Sequence, residues 1–298
     1  MLKDLKIVLI GGDARQIEVI KTLYTLEAKL FLIGFDNISL PFDNITRLKL
    51  DEMDFSLADV ILFPVPGIDI NGKIEASYSN NELIISKDFL SSTKEDCLIL
   101  TGVKTPFISE LLSVNKRKMI ALFERDDIAI LNSIPTAEGA LMLAIQHTTR
   151  TIHGSKVLVL GFGRIGFTIA RIFSSIGANV SVMARKPAHL ARIIEMGYTP
   201  ITAETLLEQV SQYDVCINTI PSLVLNAEVI TNMNKNSLII DLASKPGGTD
   251  FEFANKHHIK ALWPLGLPGK TAPQTAGEIL AHTIIEVLKD ADVYAIQK

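Results

Sequence analysis

Val157-Leu158-Val159-Leu160 runs directly into Gly161-Phe162-Gly163-Arg164-Ile165-Gly166, and residues 167–174 then carry helical spacing. An apolar β-branched run, a glycine turn and a helix, in that order, form the setting in which Gly-x-Gly-x-x-Gly binds a dinucleotide. Gly161 permits the tight turn, Gly163 lets backbone approach a pyrophosphate, and Gly166 lets helix and strand pack closely. The helix start offers unpaired N–H groups and a partial positive charge to phosphate oxygens. A second apolar run, 179–183, stands where the next strand of such a unit is expected.

The residues after that second run select the nucleotide. A site for NAD usually has Asp or Glu there, accepting from the ribose 2′-hydroxyl. This chain has Ala184-Arg185-Lys186. Two cations without a carboxylate suit a 2′-phosphate, which the Arg fork can hold bidentately. NADP is therefore the first choice and NAD is left open. The competing reading is a solvated loop with two surface charges.

Outward from this unit, the first 130 residues alternate apolar runs with amphipathic segments. Runs at 6–10, 29–33, 59–65, 97–100 and 119–122 read as strands, and 15–26 and 106–112 as helices. The pattern predicts an α/β domain with a largely parallel sheet. Its first turn, Gly11-Gly12-Asp13-Ala14-Arg15-Gln16, departs from the fingerprint at its third and sixth positions. It remains a glycine turn before a helix, so it is expected to be able to hold an anion. A helix is predicted over 136–150, with Pro135 near its start. Beyond the fingerprint, strands are expected at 215–218 and 237–242, with a further candidate at 261–263. A helix is expected at 187–196 and a last one at 275–288. The fold class is thus α/β in two domains. An N-terminal flavodoxin-like or Rossmann-like domain (1–132 plus 275–298) joins a Rossmann NAD(P)-binding domain (133–274) through long crossing helices.

With 298 residues, 48% of them hydrophobic, the chain can fill two cores. A net charge of -4 gives no sign of nucleic-acid binding. No uninterrupted apolar stretch reaches the roughly 20 residues of a membrane span. Cys97 and Cys216 each sit in an apolar run, which predicts buried, reduced thiols and a cytoplasmic protein. No metal-ligand spacing is visible, so no metal is expected.

Further stretches carry a family resemblance. They are Gly11-Gly12-Asp13-Ala14-Arg15-Gln16, Pro64-Val65-Pro66-Gly67 and Asn132-Ser133-Ile134-Pro135-Thr136-Ala137-Glu138-Gly139. With them go the 161–166 fingerprint, Asp241-Leu242-Ala243-Ser244-Lys245-Pro246-Gly247-Gly248-Thr249-Asp250 and the 266–273 loop. In this order and spacing, over essentially the whole chain, they resemble the A subunit of dipicolinate synthase from spore-forming bacteria. The two-domain plan is also similar to that of alanine dehydrogenase and adenosylhomocysteinase. The resemblance implies NAD(P)-dependent oxidation of a dihydrodipicolinate, or of its hydrated precursor, to dipicolinate during sporulation. It implies a flavoprotein-like B subunit as partner, a homo-oligomer, and the mother-cell cytoplasm as location. Alternatives are an amino-acid or hydroxy-acid dehydrogenase on the same architecture and a non-catalytic NADP-binding regulatory subunit.

A cyclic dicarboxylate needs cations, hydroxyls and backbone N–H groups. Candidates for its binding are Asp13, Arg15, Ser133, Thr136, Ser244, Gly248, Thr249 and Lys270. Arg15 would meet a carboxylate, with Asp13 orienting it or capping the helix. The 244–249 loop would hold the second carboxylate, and Lys270 lies in a Pro/Gly-rich loop. Ser133 and Thr136 stand at the expected mouth of the linking helix, where an N-cap is the plainer role. Cofactor contacts are expected from Gly161, Phe162, Gly163, Arg164, Ile165, Gly166, Ala184, Arg185 and Lys186. Asn218, Thr219 and Pro221 join them on the nicotinamide side, and Ala243 is a further expected cofactor contact. The catalytic group is unassigned. Ser133, Glu138 and Thr219 are the candidates, with a helix-dipole role competing for Glu138.

Overall fold

The computed structural model describes residues 2–43 and 45–291. Residues 1, 44 and 292–298, which the expected first domain includes, lie outside the described residues. The first sheet region contains β1 (Lys6–Ile10), α1 (Arg15–Thr25), β2 (Lys29–Ile33), β3 (Ile45–Arg47), β4 (Val60–Leu62), β5 (Lys73–Ile74), β6 (Leu83–Ile84), β7 (Leu98–Thr101), α2 (Pro106–Val114) and β8 (Met119–Ala121). After the long α3 (Asp126–His147) come β9 (Lys156–Leu160), α4 (Arg164–Ser175), β10 (Asn179–Met183), α5 (Pro187–Glu195), β11 (Thr199–Ile201) and α6 (Ala203–Gln209). The chain continues with β12 (Val215–Asn218), α7 (Ala227–Asn232), β13 (Leu238–Asp241), α8 (Phe251–Lys256), β14 (Lys260–Leu262), α9 (Leu267–Thr271) and α10 (Pro273–Asp290).

Two compact units result, one of Met1–Ala129 with Ala272–Lys298 and the other of Ile130–Thr271. The boundary falls inside α3. Each unit holds a six-stranded sheet in which every pair is parallel. The orders are β3-β2-β1-β4-β7-β8 and β11-β10-β9-β12-β13-β14. Both are the doubly wound 3-2-1-4-5-6 order of the Rossmann fold, so the first unit is Rossmann-like rather than flavodoxin-like. β5 and β6 form a separate antiparallel pair. In such sheets the order reverses beside the first strand, and ligands gather at the strand C-termini there. That point lies after β1 and β4 in the first unit, and after β9 and β12 in the second.

The central strands are covered on both faces, which is why they read as unbroken apolar runs. Ile7 and Leu9 enter one core with Val19 and Leu23 of α1 and Leu280 and Ile284 of α10, while Val8 and Ile10 enter the opposite core. α10 lies close on α1 because position 277 is glycine: a Cβ there would stand 2.5 Å from the Arg15 carbonyl oxygen. In the second unit Val157 and Val159 face Ala137, Ala140 and Phe173, and Leu158 and Leu160 face the other side.

The linking helix departs from expectation. It starts at Asp126, not near Pro135, and Pro135 lies inside it. Asp126 and Asp127 in its first turn suit the positive end of the helix dipole. By length and composition α3 is long and apolar enough to cross a membrane, although polar residues interrupt it. Its Ala137, Ala140 and Ala144 are buried in the core of the second unit.

Candidate functional site

The 161–166 turn leaves β9 and enters α4. Gly161 has φ +100° and its amide donates to the Met183 carbonyl at 3.1 Å. Among the described residues the amides of Phe162, Gly163, Ile165 and Gly166 have no acceptor, and Phe167 N–H closes on Gly163 O at 3.0 Å. These are the orphan donors of a helix start. A Cβ at Gly163 would meet nothing within 4 Å, whereas one at Gly166 would lie 2.1 Å from the Gly161 oxygen. Open space thus stands over the middle glycine, and strand–helix contact fixes the last one. A cavity of about 340 Å³ opens at this place. Gly161, Phe162, Gly163, Arg164 and Ile165 form its floor, and Ala184, Arg185 and Lys186 one wall. Thr219 and Pro221 form the other wall. Arg185 and Lys186 are exposed and have no ion-pair partner among the described residues. A pyrophosphate and a further phosphate fit this chemistry: free amides at a helix start, an open cradle above glycine, and cations without a carboxylate.

Thr219 reaches the cavity from the end of β12. Its hydroxyl donates to the Leu160 carbonyl at 2.9 Å, so its proton is engaged and its role is to hold the wall. Asn218 does not line the cavity. It is fully buried and donates to Ile220 O at 3.0 Å and Asp241 Oδ1 at 2.9 Å, which shapes the turn from within. Gly166 and Ala243 also lie outside the lining. The Ala243 amide donates to Asp241 Oδ1 at 3.0 Å and its carbonyl accepts from the Trp263 indole at 3.0 Å. Met183, His189 and Ile220 line the cavity, and sequence reasoning missed them. The hydrophobic pair belongs to regular strand and turn positions, but His189 in the opening turn of the next helix was a legible signal.

Asp241 corrects the reading of the 244–249 loop. It is fully buried at the end of β13. Its Oδ2 accepts from Gly248 N–H at 2.8 Å and from the Thr249 hydroxyl at 2.7 Å. The loop donors therefore hold a carboxylate of the protein itself. A buried carboxylate needs such donors, and Gly248 and Thr249 are not free for a substrate. Ser244 remains exposed at the loop tip.

Other candidates move for related reasons. Ser133 and Thr136 are in mid-helix, not at a helix mouth. Ser133, 1% exposed, donates to Ile130 O at 2.6 Å and lies 2.6 Å from Thr168 Oγ1 of α4. Thr136 donates to Asn132 O at 2.7 Å. Both hydroxyls are engaged in packing α3. Glu138 is exposed twelve residues beyond Asp126 in the same helix, so neither the helix-start placement nor the dipole role holds. Lys270 is exposed on α9, in place of the expected loop. Leu267 and Thr271 of α9 lie over Gly139, where a Cβ would stand 2.5 Å from Leu267 Cγ.

In the first unit, the 11–16 turn differs from its counterpart. The Gly11 and Gly12 amides donate to Ile33 O and Glu75 O at 2.8 and 2.7 Å, and Gln16 N–H closes on Asp13 O at 3.0 Å. With Arg15 N–H on Asp13 Oδ1 as well, only the Asp13 and Ala14 amides of the turn are left without a backbone acceptor among the described residues. Asp13 takes both expected roles. It accepts Arg15 N–H at 3.0 Å, and its carboxylate receives Arg15 Nε at 2.9 Å and Nη2 at 2.6 Å. Burial pushes the Asp13 carboxyl up, but the hydrogen bonds and charge of Arg15 together outweigh it and hold it below the usual range. Arg15 is 4% exposed, and only its Nη1 is left without an acceptor among the described residues.

Residues 6–123 match the family model described as the N-terminal domain of the dipicolinate synthase A subunit. A dipicolinate synthase A subunit from Bacillus subtilis (strain 168) is 50% identical over 290 residues, covering 97% of this chain and 98% of that protein. The chain belongs to the family of dipicolinate synthase A subunits. Residues 128–295 match the alanine dehydrogenase/PNT C-terminal domain, so this family member carries a dehydrogenase-type, nicotinamide-nucleotide-binding domain. Crystal structures of the dipicolinate synthase A subunits from Bacillus halodurans (46% identity, TM-score 0.93, 97% and 99% of the two chains) and Bacillus subtilis (49%, 0.90, 98% of each) share the whole architecture. A transhydrogenase from Sinorhizobium meliloti, 17% identical over 95% and 93% of the two chains with a TM-score of 0.69, shares the fold alone.

Proposed function

We propose that the chain oxidises a dihydropyridine dicarboxylate, dihydrodipicolinate or its hydrated precursor, to dipicolinate with NADP as oxidant. The observation that carries this reading is the fingerprint cavity with its free amides and unpaired Arg185 and Lys186, in a chain half identical to a dipicolinate synthase A subunit. The dihydro substrate loses one hydride and one proton, and its ring becomes aromatic. Bound NADP would supply the hydride acceptor. The chain's own part is binding and orientation. Amides of Phe162, Gly163 and Ile165 would hold the pyrophosphate, and Arg185 and Lys186 the 2′-phosphate. Thr219, pinned to Leu160, keeps the wall of the cavity in place. Arg15, held by Asp13, would offer Nη1 to a substrate carboxylate. Ring aromatisation drives the reaction, so no strong general base is required of the side chains. The reading includes a B subunit, since the relatives are named as A subunits, together with self-association and the cytoplasm of a sporulating mother cell.

The test is turnover of freshly generated dihydrodipicolinate by purified chain, with and without B subunit, beside simple 2-amino and 2-oxo acids. Formation of the pyridine product supports the reading. Turnover of only the simple acids favours an amino-acid or hydroxy-acid dehydrogenase. Cofactor binding with no turnover of any candidate, even with B subunit, favours a regulatory subunit. Arg15→Ala should lower kcat/KM by roughly tenfold or more while leaving NADP affinity nearly intact. Unchanged kcat/KM would remove Arg15 from the substrate site.

A further inference from the structure

The fingerprint cavity contains an imidazole besides its cations. His189 is the third residue of α5 and lines the cavity together with Arg185 and Lys186. Helical side chains lean toward the N-terminus, so a residue in this position covers the opening turn. The His189 main chain is fixed by its N–H on the Lys186 carbonyl at 2.9 Å. The ring is set edge-on to Phe162, with centroids 5.8 Å apart and planes at 70°. Phe162 is in turn packed on Phe167 at 5.5 Å. His189 is half-buried, and among the described residues neither ring nitrogen has a hydrogen-bond partner.

The charge of the lining is one-sided. Among the described residues Arg185 and Lys186 stand in it without an ion-pair partner, and no Asp or Glu lines it. A phosphate monoester presents several acceptor oxygens and takes more than one or two donors at once. Resting on the NADP reading above, we propose that His189 determines nucleotide specificity by donating a ring N–H to the 2′-phosphate, as a third donor beside Arg185 and Lys186. A neutral imidazole still carries one N–H, so the contact does not depend on ring charge. The Phe162 edge contact holds the plane of the ring and thereby its donor direction.

Calorimetric titration with NADP, NAD and adenosine 2′,5′-bisphosphate tests this without turnover. His189→Ala should weaken NADP and the bisphosphate by roughly tenfold, the size of one good hydrogen bond to a charged group, and NAD by less than about twofold. His189→Asn keeps an N–H donor and should recover part of the loss. Equal weakening of NAD and NADP, or none, would overturn the assignment. Arg185→Ala is titrated alongside. If wild type prefers NADP and Arg185→Ala removes the preference while His189→Ala does not, only the His189 assignment fails. If wild type binds NAD as tightly as NADP, the NADP reading fails and His189 with it.

Discussion

Gly161, Gly163 and Gly166 are the same residue type held for different physical reasons. A side chain at Gly161 would take φ +100° and stand 2.5 Å from Thr219 Oγ1, and one at Gly166 would strike backbone. Gly163 alone opens onto empty space. Gly163→Val should therefore leave the domain folded and abolish nucleotide binding, because the new branches occupy the phosphate cradle. Circular dichroism with a nucleotide titration checks this, and retained binding would make the turn structural only. Arg185→Ala should cost about 1.5–3 kcal/mol of NADP affinity, as expected for a lost hydrogen bond to a charged group, and change NAD affinity far less. An equal loss for both nucleotides, read by calorimetry, would contradict the 2′-phosphate role.

Elements show where carboxylates organise this fold. Asp241 at the end of β13 gathers Asn218, Ala243, Gly248 and Thr249, so it ties the loop after β12 to the loop after β13. Asp241→Ala would strand four buried donors, at about 1–3 kcal/mol for each one left unsatisfied. A clearly lower urea midpoint is expected for that variant, and an unchanged midpoint would mean the loops are held otherwise. Asp13 at the start of α1 gives a pH signature. Its folded-state value is depressed, so its pair with Arg15 stabilises the fold above the unfolded carboxylate value of about 4 and loses that effect as pH falls below it. The stability difference between wild type and Asp13→Asn should thus be full near neutrality and shrink in acid. A difference independent of pH would exclude the ion pair as its source.

Legibility in the sequence followed the same divisions. β1, β2, β10 and β12 were readable to the residue and β9 to within one, because strands buried in the sheet read as largely apolar runs. β3 and β11 were not. They are three-residue edge strands, and β11 contains Pro200, which an edge tolerates. The start of α3 was hidden by Pro135, which looks like a first-turn proline but sits mid-helix. The fingerprint floor and the Arg185-Lys186 wall were legible because their chemistry is local. The inward turn of Gly248 and Thr249 was not, since sequence does not tell which carboxylate a loop will embrace.

At the scale of the whole molecule, two sheets of one topology carry two glycine turns of opposite character. Most amides of the 11–16 turn are engaged with Ile33, Glu75 and Asp13, while those of Phe162, Gly163, Ile165 and Gly166 have no acceptor among the described residues. The fold alone therefore does not make a nucleotide site; the closure of the turn decides it. The two cysteines take no part. Both are buried, and burial pushes the Cys97 thiol up to about 12 and Cys216 higher than its ordinary value, so neither is a thiolate at neutral pH. The most direct test follows reduced nicotinamide and dipicolinate together after purified chain, NADP and freshly generated dihydrodipicolinate are mixed, with B subunit supplied. The expected result is one reduced nicotinamide formed per dipicolinate, at a rate set by the chain's concentration and lost in Gly163→Val. Dipicolinate appearing at the same rate without the chain or with Gly163→Val, or without reduction of NADP, would contradict it.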